Sequence, residues 1–176
     1  VFGVHLRWLP AGGFQTGSTS KAWTLAEWIR TGHSLQDSVN GNQRQINNAN
    51  IRAHCLPGGV YGYDSFRVGN DGNANYGNIS VMRATASSIN AGFMAMQERM
   101  DLCDTIDLAE RLGAHRASPQ TIEGFSNYGT TKMTRNPVNV YAGTDEVAPL
   151  TMANVYAAFA NEGTTCSAVP IASIKD

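Results

Sequence analysis

The chain has 176 residues, of which 42% are hydrophobic and 15% charged, and its formal net charge is −1. That length suffices for one domain with a core, or for part of a larger one. Near-neutral charge without a Lys/Arg cluster argues against a nucleic-acid partner, because phosphate binding needs a positive face, and no apolar run approaches the roughly 20 residues that cross a bilayer.

The opening VFGVHLRWLP has neither an initiator Met nor a charged-then-apolar leader. It reads as the interior of a longer polypeptide, with any membrane anchor or export signal outside this chain. A first helix is predicted from about Ser18 to Thr31, with Gly17 before it and Gly32 as its C-terminal stop. A polar tract follows that contains VNGNQRQINNANIR and GNDGNANYGNIS. It reads as turns and loops at a solvated surface. Asn78-Ile79-Ser80 matches a glycosylation sequon, but Ser80 is the better helix N-cap. In INAGFMAMQERM, Ile89, Phe93, Met96 and Met100 fall at i, i+4, i+7 and i+11, one face of a second helix. A shorter helix is predicted over Asp104 to Leu112, with Asp104 as N-cap and Gly113 beyond its end. The last, Pro149 to Gly163, presents Leu150, Val155 and Phe159 as its apolar residues.

Cys55, Cys103 and Cys166 show no C-x-x-C spacing, and His5, His33, His54 and His115 are scattered. No metal site is expected from such spacing, and no cofactor is called for.

One residue of the first helix stands out. At about 100° per residue, Ser18, Lys21, Leu25, Trp28 and Ile29 share one stripe, and Glu27 falls on the opposite side. A buried lysine is rare and costly. Burial and the positive end of the helix dipole both disfavour its ammonium form, so Lys21 becomes a candidate base. Ser18 lies one turn away, where the helix N-terminus favours an alkoxide, which is the arrangement of an activated serine nucleophile. The bland alternative is a capping serine with a lysine that snorkels to solvent.

Ser-x-x-Lys enzymes use a further hydroxyl and an amide, supplied by Ser-x-Asn. Two candidates exist, Ser38-Val39-Asn40 and Ser88-Ile89-Asn90. The first reads as a turn with Gly41. The second opens an apolar helix that can hold it rigidly, and it is preferred.

Three segments, GFQTGSTSKAWTLAEWIRTGHSL, ATASSINAGFMAMQERMDLCDTIDLAERLGAH and YAGTDEVAPLTMANVYAAFANEGTTC, stand in an order and spacing that resembles the transpeptidase domain of penicillin-binding proteins. The likeness is greatest to the bifunctional, class A enzymes of actinobacteria and runs from about Gly13 to the C-terminus. It implies an α+β fold of the penicillin-binding/serine β-lactamase type, with residues 1–176 a partial domain. It also implies a D,D-transpeptidase acting on peptidoglycan stem peptides at the extracytoplasmic face of the cell membrane. On that resemblance Ser18 would attack the carbonyl between two terminal D-alanines and Lys21 would be the base. Ser88 would relay a proton to the leaving D-alanine, Asn90 would bind the substrate amide, and the Ser18 N–H would form half of an oxyanion hole. β-Lactams would acylate Ser18.

The family's third motif, Lys-Thr-Gly or a close variant on a strand, has no counterpart here. Lys132-Met133-Thr134 does not fit and Lys175 is penultimate. The expectation is a chain holding mostly the helical half, with much of the five-stranded antiparallel sheet on a remaining segment of the same domain. An extracytoplasmic setting permits disulfides. Either a Cys103–Cys166 bridge or buried free thiols is then expected, with Cys55 lacking an evident partner. Two rival functions remain: a serine β-lactamase, disfavoured by the apolar middle residue of Ser88-Ile89-Asn90 and the lack of an evident deacylating glutamate, and a non-catalytic β-lactam-binding receptor or scaffold.

Overall fold

The computed structural model describes residues 13–166, so the opening VFGVHLRWLP (with His5) and Lys175 lie outside the described residues. The order is β1 (Phe14–Gln15), a 3-10 turn (Gly17–Ser20), α1 (Lys21–Arg30), β2 (Ser38–Asn40), β3 (Arg44–Asn47), β4 (Ser65–Val68), β5 (Asn78–Ser80), α2 (Val81–Ala86), α3 (Asn90–Gln97), α4 (Leu102–Arg111), α5 (Asn139–Ala142), β6 (Glu146–Val147) and α6 (Pro149–Ala160). Among the described residues the strands form three separate antiparallel pairs, β1–β6, β2–β5 and β3–β4. This is an α+β fold in which helices supply most of the core.

α1 contains no Gly or Pro and ends in a Schellman motif. The Gly32 N–H bonds to the Ile29 carbonyl and the His33 N–H to the Trp28 carbonyl, with Gly32 at φ +89°. The accompanying side-chain contact is the stack of His33 on Trp28, ring centroids 3.9 Å apart. The buried face of α1 is made by Trp23, Thr24, Glu27 and Trp28, whereas Ile29 is 52% exposed. The predicted stripe is therefore corrected. The 3-10 turn over Gly17–Ser20 shifts only Ser18 relative to α1; within α1 the buried arc reaches round to Glu27 because the helix packs against α3, α4 and α5 and not against one neighbour. Glu27 is 0% exposed and its carboxylate takes two hydrogen bonds from Arg30, at 2.6 and 2.7 Å.

α3 is the central helix. Every residue from Ala91 to Gln97 is buried, and Ile89, Phe93, Met96 and Met100 all lie inside as their spacing predicts. The helix itself ends at Gln97. α4 begins earlier than expected, because Asp101, not Asp104, is the N-cap: its carboxylate accepts from the Cys103 N–H at 2.8 Å. Ser80 caps α2, accepting from the Arg83 N–H. In α6 the buried residues are Thr151, Val155 and Ala158, and Leu150 faces outward.

The polar tract is not merely solvated loop. Single apolar residues between polar ones (Val39, Ile46 and Val68) are buried and pull short strands onto the core. Ser38-Val39-Asn40 is β2, so the predicted turn begins only after it, where the Asn40 side chain accepts from the Asn42 N–H. Local turn propensity gives way here to tertiary burial.

The cysteine pairing also differs from expectation. Cys55 and Cys103 form the disulfide, and Cys166 is free and exposed. Asp101 explains the choice: it accepts from both the His54 N–H and the Cys103 N–H, while the Leu102 N–H bonds to the Arg52 carbonyl. These bonds fasten the 52–55 loop to the start of α4 and leave the two Cα atoms 6.0 Å apart, a normal disulfide span. His54, Asp101 and Cys103 lie close enough to suggest metal ligands, but Cys103 is consumed by the bridge.

Candidate active site

The site is assembled at the joint between the 3-10 turn, the N-terminus of α1 and the start of α3. In a 3-10 turn residues i and i+3 eclipse. Ser18 is in that turn and Lys21 opens α1, so the lysine amine is brought 2.9 Å from Ser18 Oγ. The other partners of Lys21 Nζ come from far along the chain: Ser88 Oγ and the Ser88 carbonyl, both at 2.9 Å, and Asn90 Oδ1 at 2.6 Å. All four residues read from the sequence, Ser18, Lys21, Ser88 and Asn90, therefore meet at one nitrogen. Ser18 and Ser88 are exposed, and Lys21 is only 5% exposed.

Two of the four partners, the Ser88 carbonyl and Asn90 Oδ1, can only accept. Two are hydroxyls, which can donate or accept. A neutral amine has two hydrogens and one lone pair. Its hydrogens satisfy the two obligate acceptors, and its lone pair then faces a hydroxyl. Burial pushes the Lys21 amine down to about 8, so the neutral form is accessible near physiological pH. Among the described residues no carboxylate is a hydrogen-bond partner of Nζ to oppose that shift. The Phe93 ring, 5.5 Å from Nζ, is the weaker influence in the other direction.

The backbone at Ser88 is unusual. Its φ of +51° is in the left-handed region, seldom adopted by a residue with a side chain. This conformation directs both its carbonyl and its hydroxyl to Lys21. The start of α3 is fixed by the polar tract: Asn90 Nδ2 donates to the Gly69 carbonyl at 3.2 Å, and the Ala91 N–H donates to Asn70 Oδ1 at 2.9 Å. Asn90 thus has its oxygen on Lys21 and one amide hydrogen on Gly69, with a second amide hydrogen to spare.

The cavity beside these groups has a volume of about 240 Å³ and is lined by Ser18, Lys21, Ser88, Thr85, Phe93 and Tyr156, with Ala22 and Leu25 at its edge. Tyr156 reaches across from α6 and its hydroxyl donates to the Thr19 carbonyl at 3.0 Å. An adjoining apolar cavity of about 280 Å³ lies between α1 and α6, walled by Ala22, Leu25, Ala26, Ile29, Tyr156 and Phe159. So α1 has two functional sides, one in the core and one on the cleft, and Lys21 stands between them. Among the described residues the groups around Nζ are serine and amide oxygens without carboxylate, which suits proton transfer better than a divalent metal.

The turn that carries Ser18 is held from behind by Gly143, which the sequence reading did not single out, through Gly17, which it did. Gly17, at φ +56°, donates its N–H to the Gly143 carbonyl at 3.2 Å. Gly143, at φ +53°, ends α5 in a left-handed cap. A glycine after a short apolar helix was the available signal, but only the tertiary fold shows what it touches. Lys132-Met133-Thr134 lies in no strand. Its Met133 N–H is bonded to Glu110, and Thr134 to Asp145.

The sequence profile of the penicillin binding protein transpeptidase domain matches residues 12–176. The chain belongs to this family. Among solved structures, penicillin-binding protein A from M. tuberculosis, as its penicillin G acyl-enzyme complex, is similar with a TM-score of 0.60 and 22% identity, over 88% of this chain and 34% of that one. PonA1 from Mycobacterium tuberculosis in complex with penicillin V gives a TM-score of 0.57 and 18% identity, over 85% of this chain and 35% of that one. Penicillin-binding protein 1A from Haemophilus influenzae gives 0.58 and 17%, over 81% of this chain and 17% of that one. No curated protein matches the chain. At these identities the structural likeness speaks for the fold, and this penicillin-binding transpeptidase chain spans about a third of the length of the mycobacterial structures.

Proposed function

We propose that this chain carries the acylating centre of a D,D-transpeptidase that cross-links peptidoglycan stem peptides and is a target of β-lactams. The observation that carries the reading is the position of Lys21 Nζ, 2.9 Å from both Ser18 Oγ and Ser88 Oγ. One amine is thereby placed to take a proton from a nucleophile and return it through a second hydroxyl.

In this reading Ser18 Oγ attacks the carbonyl carbon between the two terminal D-alanines while its proton passes to Lys21. The tetrahedral adduct collapses by breaking the C–N bond. Ser88 gives its proton to the departing D-alanine amine and is resupplied from Lys21, which returns to neutral. The amine of a second stem peptide then attacks the Ser18 ester, and its proton retraces the relay to Ser18 Oγ. The spare amide hydrogen of Asn90 binds the substrate backbone, and the Ser18 N–H contributes to the oxyanion hole. The penicillin adducts named for the M. tuberculosis structures support β-lactams as ligands of this site. A peptidoglycan substrate would put this work at the extracytoplasmic face of the membrane.

The apolar wall of exposed Ile29 and Tyr156 with half-buried Leu25 and Phe159 supports a further proposal, that a remaining segment of the same domain carries the third motif and packs its strands here. Single-sided apolar helices need such a cover.

The test is intact-mass analysis of the full-length protein after incubation with penicillin, with peptide mapping. A single adduct on Ser18, absent from Ser18→Ala, is expected. No adduct in the folded full-length protein overturns the reading in favour of a non-catalytic scaffold. Rapid hydrolysis of the adduct would indicate a β-lactamase, and failure to transfer the acyl group to an added amine would indicate a receptor.

A further inference from the structure

The segment 143–147 runs antiparallel to 13–17 and flanks the nucleophile turn along its length. Phe14 pairs with Val147, Gln15 with Glu146, and the Gly17 N–H reaches the Gly143 carbonyl. In the middle of that segment is Asp145, 3% exposed, which is not among the residues lining the Ser18 cavity. It takes four hydrogen bonds: Arg116 Nη1 at 2.6 Å and Thr134 Oγ1 at 2.7 Å on one oxygen, the Thr134 N–H at 2.6 Å and Asn139 Nδ2 at 2.8 Å on the other. Its own N–H donates to Asn139 Oδ1 at 3.1 Å. Each oxygen is thus doubly engaged, and three separate stretches of chain converge on one side chain.

That network is more than the local loop needs. A tight turn between α5 and β6 requires only backbone bonds and Gly143. A fully buried carboxylate with an arginine partner carries a desolvation cost that an apolar residue would avoid, and such groups fix one conformation among several. Here the conformation fixed is that of residues 143–147, whose outward carbonyl at Gly143 meets the turn that presents Ser18. We propose that Asp145 is a positioning residue for acylation: with Arg116, Thr134 and Asn139 it forms a buried strut that sets the height and orientation of the Ser18 turn through the Gly143–Gly17 hydrogen bond. This rests on the reading that Ser18 is the acylated residue. Misplacing a reacting atom by about 1 Å costs on the order of 100-fold in rate, so the strut acts on the chemical step and not on ligand affinity.

The experiment uses the full-length protein and separates these quantities. Asp145→Asn keeps the shape and removes the charge and one acceptor. With a chromogenic β-lactam, the limiting acylation rate is expected to fall about 10- to 100-fold, with little change in the pre-acylation dissociation constant. Hydrogen exchange at the Gly17 amide, read by mass spectrometry of peptides across the turn, is expected to accelerate. Thr134→Ser, which keeps both donors, should behave as wild type, while Thr134→Val should show a smaller version of the same loss and serves where Asp145→Asn fails to fold. Ile46→Val, in the β3 ladder, gauges looser packing alone and should leave both readouts unchanged. A wild-type acylation rate in folded Asp145→Asn, or in folded Thr134→Val should that substitute be needed, overturns the strut, as does an equal loss in Ile46→Val. If the wild-type protein forms no Ser18 adduct, the proposed function falls, and the Gly17 exchange rates alone decide whether Asp145 holds the turn.

Discussion

Gly143 lies so close to Gly17 that a side chain on Gly143 would strike the turn that carries Ser18, whereas a β-carbon on Gly17 would meet open space. A β-carbon built on Gly143 would lie 2.4 Å from the Gly17 carbonyl oxygen and 2.6 Å from its nitrogen, and 2.1 Å from Thr16 Oγ1. Gly143 also adopts φ +53°, which costs any other residue energy. Gly143→Ala is therefore expected to move the nucleophile turn as well as strain its own backbone. The loss of stability should be about 2 kcal/mol by denaturant titration, and acylation by a β-lactam should slow at least tenfold. Gly163→Ala makes a useful contrast, since it has a similar φ, +85°, but open space around it. It should lose stability without slowing acylation. Equal acylation by both variants would separate Gly143 from the site.

The residues that perform the proposed chemistry were legible in the sequence because their signal is local. Ser18 and Lys21 are three apart at a helix start, and Ser88 and Asn90 open a second helix. What holds them was not legible. Asn70 and Gly69 lie in a tract whose Asn and Gly content resembles a solvated loop, and only burial of Val39, Ile46 and Val68 turns it into a support for α3. Glu27 lies opposite the apolar stripe, and its burial depends on α1 being packed against α3, α4 and α5 together, which helical spacing does not carry. The partner of Cys103 depended on which loop Asp101 would fasten to α4, a tertiary fact that spacing does not carry.

In the proposed mechanism Lys21 sets the pH dependence. Its pKa is lowered by burial from 10.5 to about 8, so acylation, which needs the neutral amine, should rise with pH through a limb near 8 and level off above it. Stability follows from the same shift. Between about 8 and 10.5 the unfolded lysine binds more protons than the folded one, so this group's contribution to stability rises with pH across that window. Below about 8 the folded protein carries the full cost of a buried ammonium. Lys21→Met should abolish acylation at every pH and flatten that part of the stability profile. A limb that persists in Lys21→Met, or one centred near 10.5 in the wild type, would assign the base elsewhere.

The disulfide closes a loop of 48 residues between Cys55 and Cys103, within which lie Ser88, Asn90 and the whole of α3. Cross-linking a loop of that length stabilises chiefly by restricting the unfolded chain, by about 2–4 kcal/mol. Reduction, or the pair Cys55→Ser and Cys103→Ser, should lower the unfolding midpoint accordingly. Acylation measured well below that midpoint should change little, because Asp101 and the Arg52–Leu102 backbone bond still fasten the loop to α4. Cys166→Ser should have no effect on stability. If it, and not Cys55→Ser, produced the loss, the Cys103 partner would have to be reassigned.

Ser88 joins a cost in stability to a task in the site. Its φ of +51° is one that glycine adopts freely and that serine or alanine adopts under strain. Its hydroxyl and its carbonyl both reach Lys21 from that conformation. Ser88→Ala and Ser88→Gly should lose acylation alike, by about 100-fold, since each removes the relay hydroxyl. Their stabilities should part: Ser88→Gly relieves the backbone and should exceed Ser88→Ala by about 1 kcal/mol. Calorimetry on the two variants beside the wild type makes the comparison. A Ser88→Gly protein more stable than wild type and yet inactive would mean that the strained turn is kept for the proton it carries. Equal stabilities for the glycine and alanine variants would mean that the left-handed turn at Ser88 costs the fold nothing.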